Sequence, residues 1–222
     1  MKILRNLHLT IMLGLASTLF SACDGLFEDV YDNDKVAETS SSSSLWYSPS
    51  SDTEGQFTID ATSYTAWHYI SFADMTLTSS VINADGTEDD VPDQWDIALH
   101  RYDVKTNGGS AAATSFSTFA SLSLDNLSFE ADVWTENKIT IDMSHMMEGY
   151  LVYAPSYYSA VISGWVDVDT STMPPIYTMN SKVYVLMTSD GRLVALRLIN
   201  YMNDSSVKGH MTVEYSILDS ID

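Results

Sequence analysis

Lys182-Val183-Tyr184-Val185-Leu186-Met187-Thr188-Ser189-Asp190-Gly191-Arg192-Leu193-Val194-Ala195-Leu196-Arg197-Leu198 sets two apolar, β-branched runs on either side of Ser189-Asp190-Gly191-Arg192. A short polar linker with Asp-Gly at its centre, between strand-length apolar runs, is a hairpin turn. Working outward, Ile139 to Tyr153, Tyr157 to Val168, Ile176 to Thr188, Leu193 to Met202 and His210 to Leu218 read as strands, and Asn203 to Gly209 as another short connection. Towards the N-terminus, Phe57, Ile59 and Ala61 alternate with Thr58 and Asp60, and a more apolar run surrounds Trp67 between Tyr64 and Met75. Thr76 to Ile82 reads less clearly, and Asn83 to Asp93 is an acidic loop with Gly86 and Pro92. Trp95, Ile97 and Leu99 alternate with Asp96, Ala98 and His100 in a strand that continues toward Val104, before the turn Asn107-Gly108-Gly109. Ser110 to Ser128 is small and hydroxyl-rich, with room for one short helix. Strands joined by short turns predict an all-β fold, a single largely antiparallel β domain. No internal repeat of fixed period is visible.

The other end of the chain reads as an export signal. Lys2 and Arg5 precede an apolar run from Ile11 to Phe20, and Leu19-Phe20-Ser21-Ala22 leads into Cys23. Small residues before a cysteine suit a lipoprotein signal peptidase, because that thiol is the acyl acceptor. The run is too short for a spanning helix with polar flanks so near. The expected organisation is therefore a signal peptide at 1–22, a lipidated acidic and serine-rich tether at 23–53, and the folded domain at 54–222. The tether includes Asp24, Glu28, Asp29, Asp32, Asp34 and the run Ser40–Ser44, a composition that buries little apolar surface.

Charge narrows the function. Without 1–22, the chain carries 8 basic against 30 acidic residues, a formal charge of −22. Phosphate backbones and anionic lipid surfaces need basic partners, so nucleic acid is excluded and membrane attachment falls to acyl chains. With one cysteine there is no disulfide framework, and the fold rests on its core. No Gly-x-Ser-x-Gly elbow, His-Glu-x-x-His pair or phosphate-binding glycine loop is present, so the reading is not an enzyme. Asn83 to Asp90 offers oxygens to a hard cation, without the ligand ladder of an EF-hand.

The unusual segment is Ile141-Asp142-Met143-Ser144-His145-Met146-Met147-Glu148-Gly149-Tyr150, followed later by Thr172-Met173-Pro174-Pro175 and Met179. Tyr150, Tyr153, Tyr157, Tyr158, Trp165 and Tyr177 crowd the interval. A thioether is a soft, neutral ligand suited to reduced copper or haem iron, and it favours the ferrous state of haem. Methionine is equally a gap-filler of apolar cores. If Ile139 to Met147 is one regular strand, Ile139, Ile141, Met143, His145 and Met147 share a face and Met146 points away with the polar residues, which suits a ligand better than a core residue. His145 lies within the cluster and could replace Met146. His68, His100 and His210 read as hydrogen-bonded structural histidines.

Trp95-Asp96-Ile97-Ala98-Leu99-His100-Arg101-Tyr102-Asp103-Val104-Lys105-Thr106-Asn107-Gly108-Gly109 resembles the signature of HmuY-like haem-binding lipoproteins of Bacteroidetes. Asp190-Gly191-Arg192, Asn200-Tyr201-Met202-Asn203 and Lys208-Gly209-His210-Met211-Thr212-Val213-Glu214-Tyr215 resemble the same family and fall in its order. The resemblance implies an all-β haemophore on the outer surface of the outer membrane, or shed from it. Such a protein captures haem from host haemoproteins and passes it to a TonB-dependent outer-membrane receptor. The founding type holds haem iron between two histidines, and other members use two methionines. Here the second ligand loop has Met173 and no histidine, which implies the methionine branch with Met146 and Met173 as axial pair and Met147, His145, Met143 and Met179 as reserves. Arg101, Lys105, Lys138 and Lys182 are candidate partners for the haem propionates. A surface lipoprotein that binds a glycan or a partner protein through exposed aromatics, with a Met-rich core and no haem, is the alternative reading.

Overall fold

A computed structural model of the chain describes residues 45–51, 53–172 and 174–218. The signal peptide, Cys23 and most of the expected tether lie outside the described residues. In chain order the strands are β1 (Leu45–Ser51), β2 (Glu54–Asp60), β3 (Ala66–Ser71), β4 (Thr76–Ile82), β5 (Glu88–Asp89), β6 (Ile97–His100), β7 (Asp103–Thr106) and β8 (Ser110–Ala113). They continue as β9 (Glu130–Ala131), β10 (Val133–Asp142), β11 (Val152–Tyr158), β12 (Val166–Asp169), β13 (Ile176–Met179), β14 (Tyr184–Met187), β15 (Leu193–Met202) and β16 (Lys208–Leu218). Three short 3₁₀ turns, Phe119–Ser121, Met146–Glu148 and Ile162–Trp165, are the helical elements among the described residues. The fold is all-β and every strand pairing is antiparallel, as the turn chemistry predicted.

Two sheets form the body. One has the order β1-β2-β16-β15-β14-β8-β9 and the other β5-β4-β3-β6-β7. Between them lies the main core, in which Phe57, Ile59, Val194, Leu196 and Val213 meet Ile70, Phe72, Ile97 and Leu99. The second sheet also buries its opposite face. Trp67, Tyr69 and Ala98 there pack against Ile139, Ile141 and Ala154 of the separate hairpin β10–β11. This double coverage explains why all four residues of β6 are buried. A second separate hairpin, β12–β13, sets Val166, Val168, Tyr177 and Met179 on the main core at its root.

Several strands expected from the sequence are divided. The run from Trp95 toward Val104 turns back at Arg101, whose φ of 54° ends β6 and starts the hairpin to β7. Ile139 to Tyr153 is two strands, β10 and β11, with the Met cluster in the turn between them. Tyr157 to Val168 is interrupted by the buried 3₁₀ turn Ile162–Trp165. There Val104 N donates to Ser163 Oγ at 2.9 Å and Trp165 Nε1 donates to Tyr102 O at 2.7 Å. These bonds satisfy backbone groups that a continuous strand would have left inside the core. Ile176 to Thr188 divides into β13 and β14, because the chain leaves the hairpin for the main sheet. Asn180 marks the crossing: its Nδ2 donates to Gly164 O at 2.7 Å. β1 lies upstream of Glu54, within the stretch read as tether, and pairs with the edge of β2.

Candidate functional site

The turn that joins β10 to β11 is built by local chemistry. Asp142 accepts from Ser144 N at 2.7 Å and from Ser144 Oγ at 3.0 Å, which ends the strand and holds the exposed carboxyl below its usual range. Met146 N donates to Met143 O and Glu148 N to His145 O, both at 2.9 Å. Gly149 closes the 3₁₀ turn in the left-handed region, with φ of 90°. His145 stacks on Tyr150 (centroids 4.6 Å apart, planes 12° apart), and its Nδ1 lies 2.9 Å from Glu148 Oε2.

Met143, His145, Met146 and Met147 therefore share one hairpin tip rather than a strand. The division between strand faces expected for this segment does not apply, because β10 ends at Asp142. Met147 is 72% exposed and Tyr150 50%, while Met143, His145 and Met146 are half-buried. A large thioether held in water by a defined turn contributes nothing to a core. The second loop joins β12 to β13. Asp169 Oδ1 accepts from Ser171 N at 2.8 Å, and Thr172 Oγ1 donates to Pro174 O at 3.2 Å. Met173 lies outside the described residues; Thr172 and Pro174 beside it are exposed, as is Ile176. Met179 sits at the root of this hairpin, opposite Val166 and against the main core.

Two of the expected propionate partners point elsewhere. Arg101 is buried: its Nη1 donates to Thr62 O at 2.5 Å, and its guanidinium lies 4.3 Å from the Tyr64 ring centre. Lys105 is buried against Glu88, with its ammonium 4.3 Å from the Trp67 ring centre. Burial lowers its pKa, and Glu88 opposes that shift. Lys138 is half exposed and lies 3.4 Å from Asp103, and Lys182 is exposed. In the acidic loop, Asn83 N donates to Thr87 O at 2.8 Å and Glu88 turns inward to Lys105. No group of three or more His, Cys, Asp or Glu side chains gathers at one point among the described residues.

His68 and His100 are structural, as expected. His68 Nδ1 lies 2.8 Å from Ser79 Oγ, and His100 Nε2 lies 2.9 Å from Tyr64 O. Burial lowers both to about 4.

The long motif beginning at Trp95 proves to be scaffold. Asp96 accepts from Phe72 N at 2.7 Å and from Arg192 Nη2 at 2.9 Å, so it joins one sheet to the β14–β15 turn of the other. Gly209 (φ 98°) packs so closely that a Cβ there would lie 3.0 Å from Arg101 Nη1. The motif therefore meets Asp190-Gly191-Arg192 through Asp96, and Lys208-Gly209-His210 through Arg101.

The described residues form an antiparallel β body with two separate hairpins, one tipped with clustered thioethers. The HmuY protein family profile matches residues 63–215, and the chain belongs to that family. It is similar to a Bacteroides fragilis protein classed as a lipoprotein, with 45% identity, 77% of this chain and 92% of that one covered, and a TM-score of 0.72. It is also similar to a Bacteroides vulgatus protein described as a HmuY-like haem-binding candidate, with 43% identity, coverage of 78% and 96%, and a TM-score of 0.70. The apo HmuY analogue of Tannerella forsythia, 23% identical, with coverage of 75% and 96%, shares the fold with a TM-score of 0.64. No curated protein matches.

Proposed function

We propose that this chain is a haem-capturing surface lipoprotein that grips iron between Met146 and Met173. Family membership and the 43% identical relative described as a HmuY-like haem-binding candidate support haem as the ligand. The observation that carries the assignment to residues is the Met146 turn, a thioether cluster displayed at a hairpin tip by defined hydrogen bonds. Tyr150 and Ile176 add apolar surface on the two hairpins, which suits a flat macrocycle. Met147, His145 and Met143 share the first tip and are the substitutes for Met146; Met179, set against the core, is the least suited reserve.

Two neutral thioethers favour ferrous over ferric haem, because ferric iron is the harder ion. Of the four candidate propionate partners, Lys138 and Lys182 are the exposed ones. Cys23 carries the acyl chains that hold the protein at the outer membrane. Haem taken from host haemoproteins is handed to a TonB-dependent receptor. The chain acts as a carrier and not as an enzyme.

Anaerobic haem titration under dithionite, followed at the Soret band, tests the ligand pair. Met146→Ala and Met173→Ala, made one at a time, each weaken binding by about tenfold or more and change the spectrum, as losing one axial bond requires. Parent-like binding by both variants disproves the pair.

A further inference from the structure

A cavity of about 510 Å³ lies at the root of hairpin β10–β11, where no candidate haem ligand is found. Its rim carries Trp134 and Tyr157, directly paired across the two strands, 55% and 56% exposed, with rings 5.1 Å apart at 71°. Its walls include Trp95, Asp132 and Thr106. Trp134 and Asp142 are eight positions apart along β10, about 26 Å at roughly 3.3 Å per residue. The Met cluster lies beyond Asp142, so the two sites are at opposite ends of one hairpin.

The cavity is held open by close backbone packing. A Cβ at Gly86 would lie 2.7 Å from Pro155 O, and one at Gly109 would lie 2.5 Å from Met187 O. The glycines let the acidic loop and the β7–β8 connection close against neighbouring strands without side chains filling the space. Thr106 is 6% exposed; its N donates to Asp132 Oδ2 at 2.6 Å, and its hydroxyl engages the same carboxylate, so Asp132 is fixed in place at the cavity wall.

The lining selects a chemical class. The Lys105 ammonium already occupies the aromatic cage of Trp67, Tyr69 and Trp95 and is neutralised by Glu88, so a cationic ligand finds that cage taken. The Asp132 carboxylate and the strongly acidic chain repel an anion. What fits is a neutral ring with one apolar face for an exposed aromatic and hydroxyls for the polar lining that includes Asn107, Asp132 and Ser156. We propose that this cavity is a second ligand site, for the ring of a saccharide, and that it works independently of haem.

The test is ¹H–¹⁵N NMR of the full chain, reading the indole signals of its five tryptophans during titration with cellobiose, chitobiose, lactose, mannobiose and the open-chain polyol sorbitol. At least one disaccharide should shift the Trp134 and Trp95 signals saturably, and sorbitol should not. Trp134→Ala should weaken that disaccharide by about tenfold, and Asp132→Asn should also weaken it. The Soret titration should stay unchanged in both variants. Trp134 is half exposed, so its removal spares the fold, which the Trp67 and Trp165 signals report. Silence from all four disaccharides, an equal response to sorbitol, or undiminished binding by Trp134→Ala overturns the proposal.

Discussion

Met146 and its neighbours show how little a residue's type says until its backbone is known. On a strand, Met146 and Met147 would face opposite ways, and at most one could be displayed. The Asp142–Ser144 cap and the left-handed Gly149 set both in a single turn. A turn of this kind fixes the backbone that carries the proposed donor, so only the side chain remains to be ordered if iron binds there. Ligand type then sets redox preference. Met146→His replaces a soft sulfur with an imidazole, so it should raise affinity for ferric haem relative to ferrous. Paired titrations with and without dithionite measure this; an unchanged ferrous-to-ferric ratio would remove Met146 from the iron.

Hairpin β10–β11 is held by apolar contacts on one side alone. Ile139, Ile141 and Ala154 lie on Trp67, Tyr69 and Ala98, while Val133 and Trp134 stay exposed. Ile139 is fully buried at this seam. Ile139→Ala should cost about 2–5 kcal/mol of stability, the range for removing a branched aliphatic from a packed core. Urea unfolding followed by tryptophan fluorescence measures it, and a loss below about 1 kcal/mol would mean the hairpin is not docked there. Hairpin β12–β13 is anchored differently, through Tyr177 against Tyr102 at 5.3 Å and the Trp165 indole on Tyr102 O. Hairpin β12–β13 is thus fixed at its root, whereas β10–β11 is docked along the half nearest its Met-bearing tip and leaves Val133, Trp134 and Tyr157 at its root exposed.

The molecule as a whole should be acid-sensitive. His68 and His100 are held neutral to about pH 4, below their ordinary 6.5, so the unfolded chain takes up their protons first as pH falls. Their contribution is complete above about pH 6.5 and lost progressively toward pH 4, about 3 kcal/mol for each. Asp103 acts with the opposite sign. Burial raises it to about 6 despite Lys138, so it binds its proton in the folded state and regains about 3 kcal/mol over a similar range. Two histidines against one aspartate leave a net loss of about 3 kcal/mol between pH 7 and pH 4. Urea midpoints across that window test it, and a midpoint that rises on acidification would contradict it. The proposed attachment through Cys23 is likewise tested on the whole chain. Removal of 1–22, as expected from the sequence, leaves a charge of −22 with no electrostatic hold on anionic lipid, so under that proposal Cys23→Ser should move the protein from the membrane fraction to the soluble one. Retention of the variant on membranes would show another anchor.

Fold class was legible in the residues because alternation and turn chemistry are local: β15 spans the expected Leu193–Met202, and the Asp190-Gly191 turn joins β14 to it. The family signature was legible for a further reason. Asp96, Arg101, Arg192 and Gly209 carry the contacts that lock the sheets together, and such contacts admit few residue types. Strand ends were not legible at Arg101, Asp142 and Ser159. The break at Arg101 depends on a left-handed residue, that at Ser159 on a bond to distant Val104, and that at Asp142 on the cap its side chain makes with Ser144, and apolar periodicity runs through all three unchanged. The inward aim of Arg101 and Lys105 was hidden for the same reason, since a cation's partners are chosen by packing. The cavity beneath Trp134 had no sequence signal, because its walls come from five separate segments that meet when the hairpin docks on the sheet.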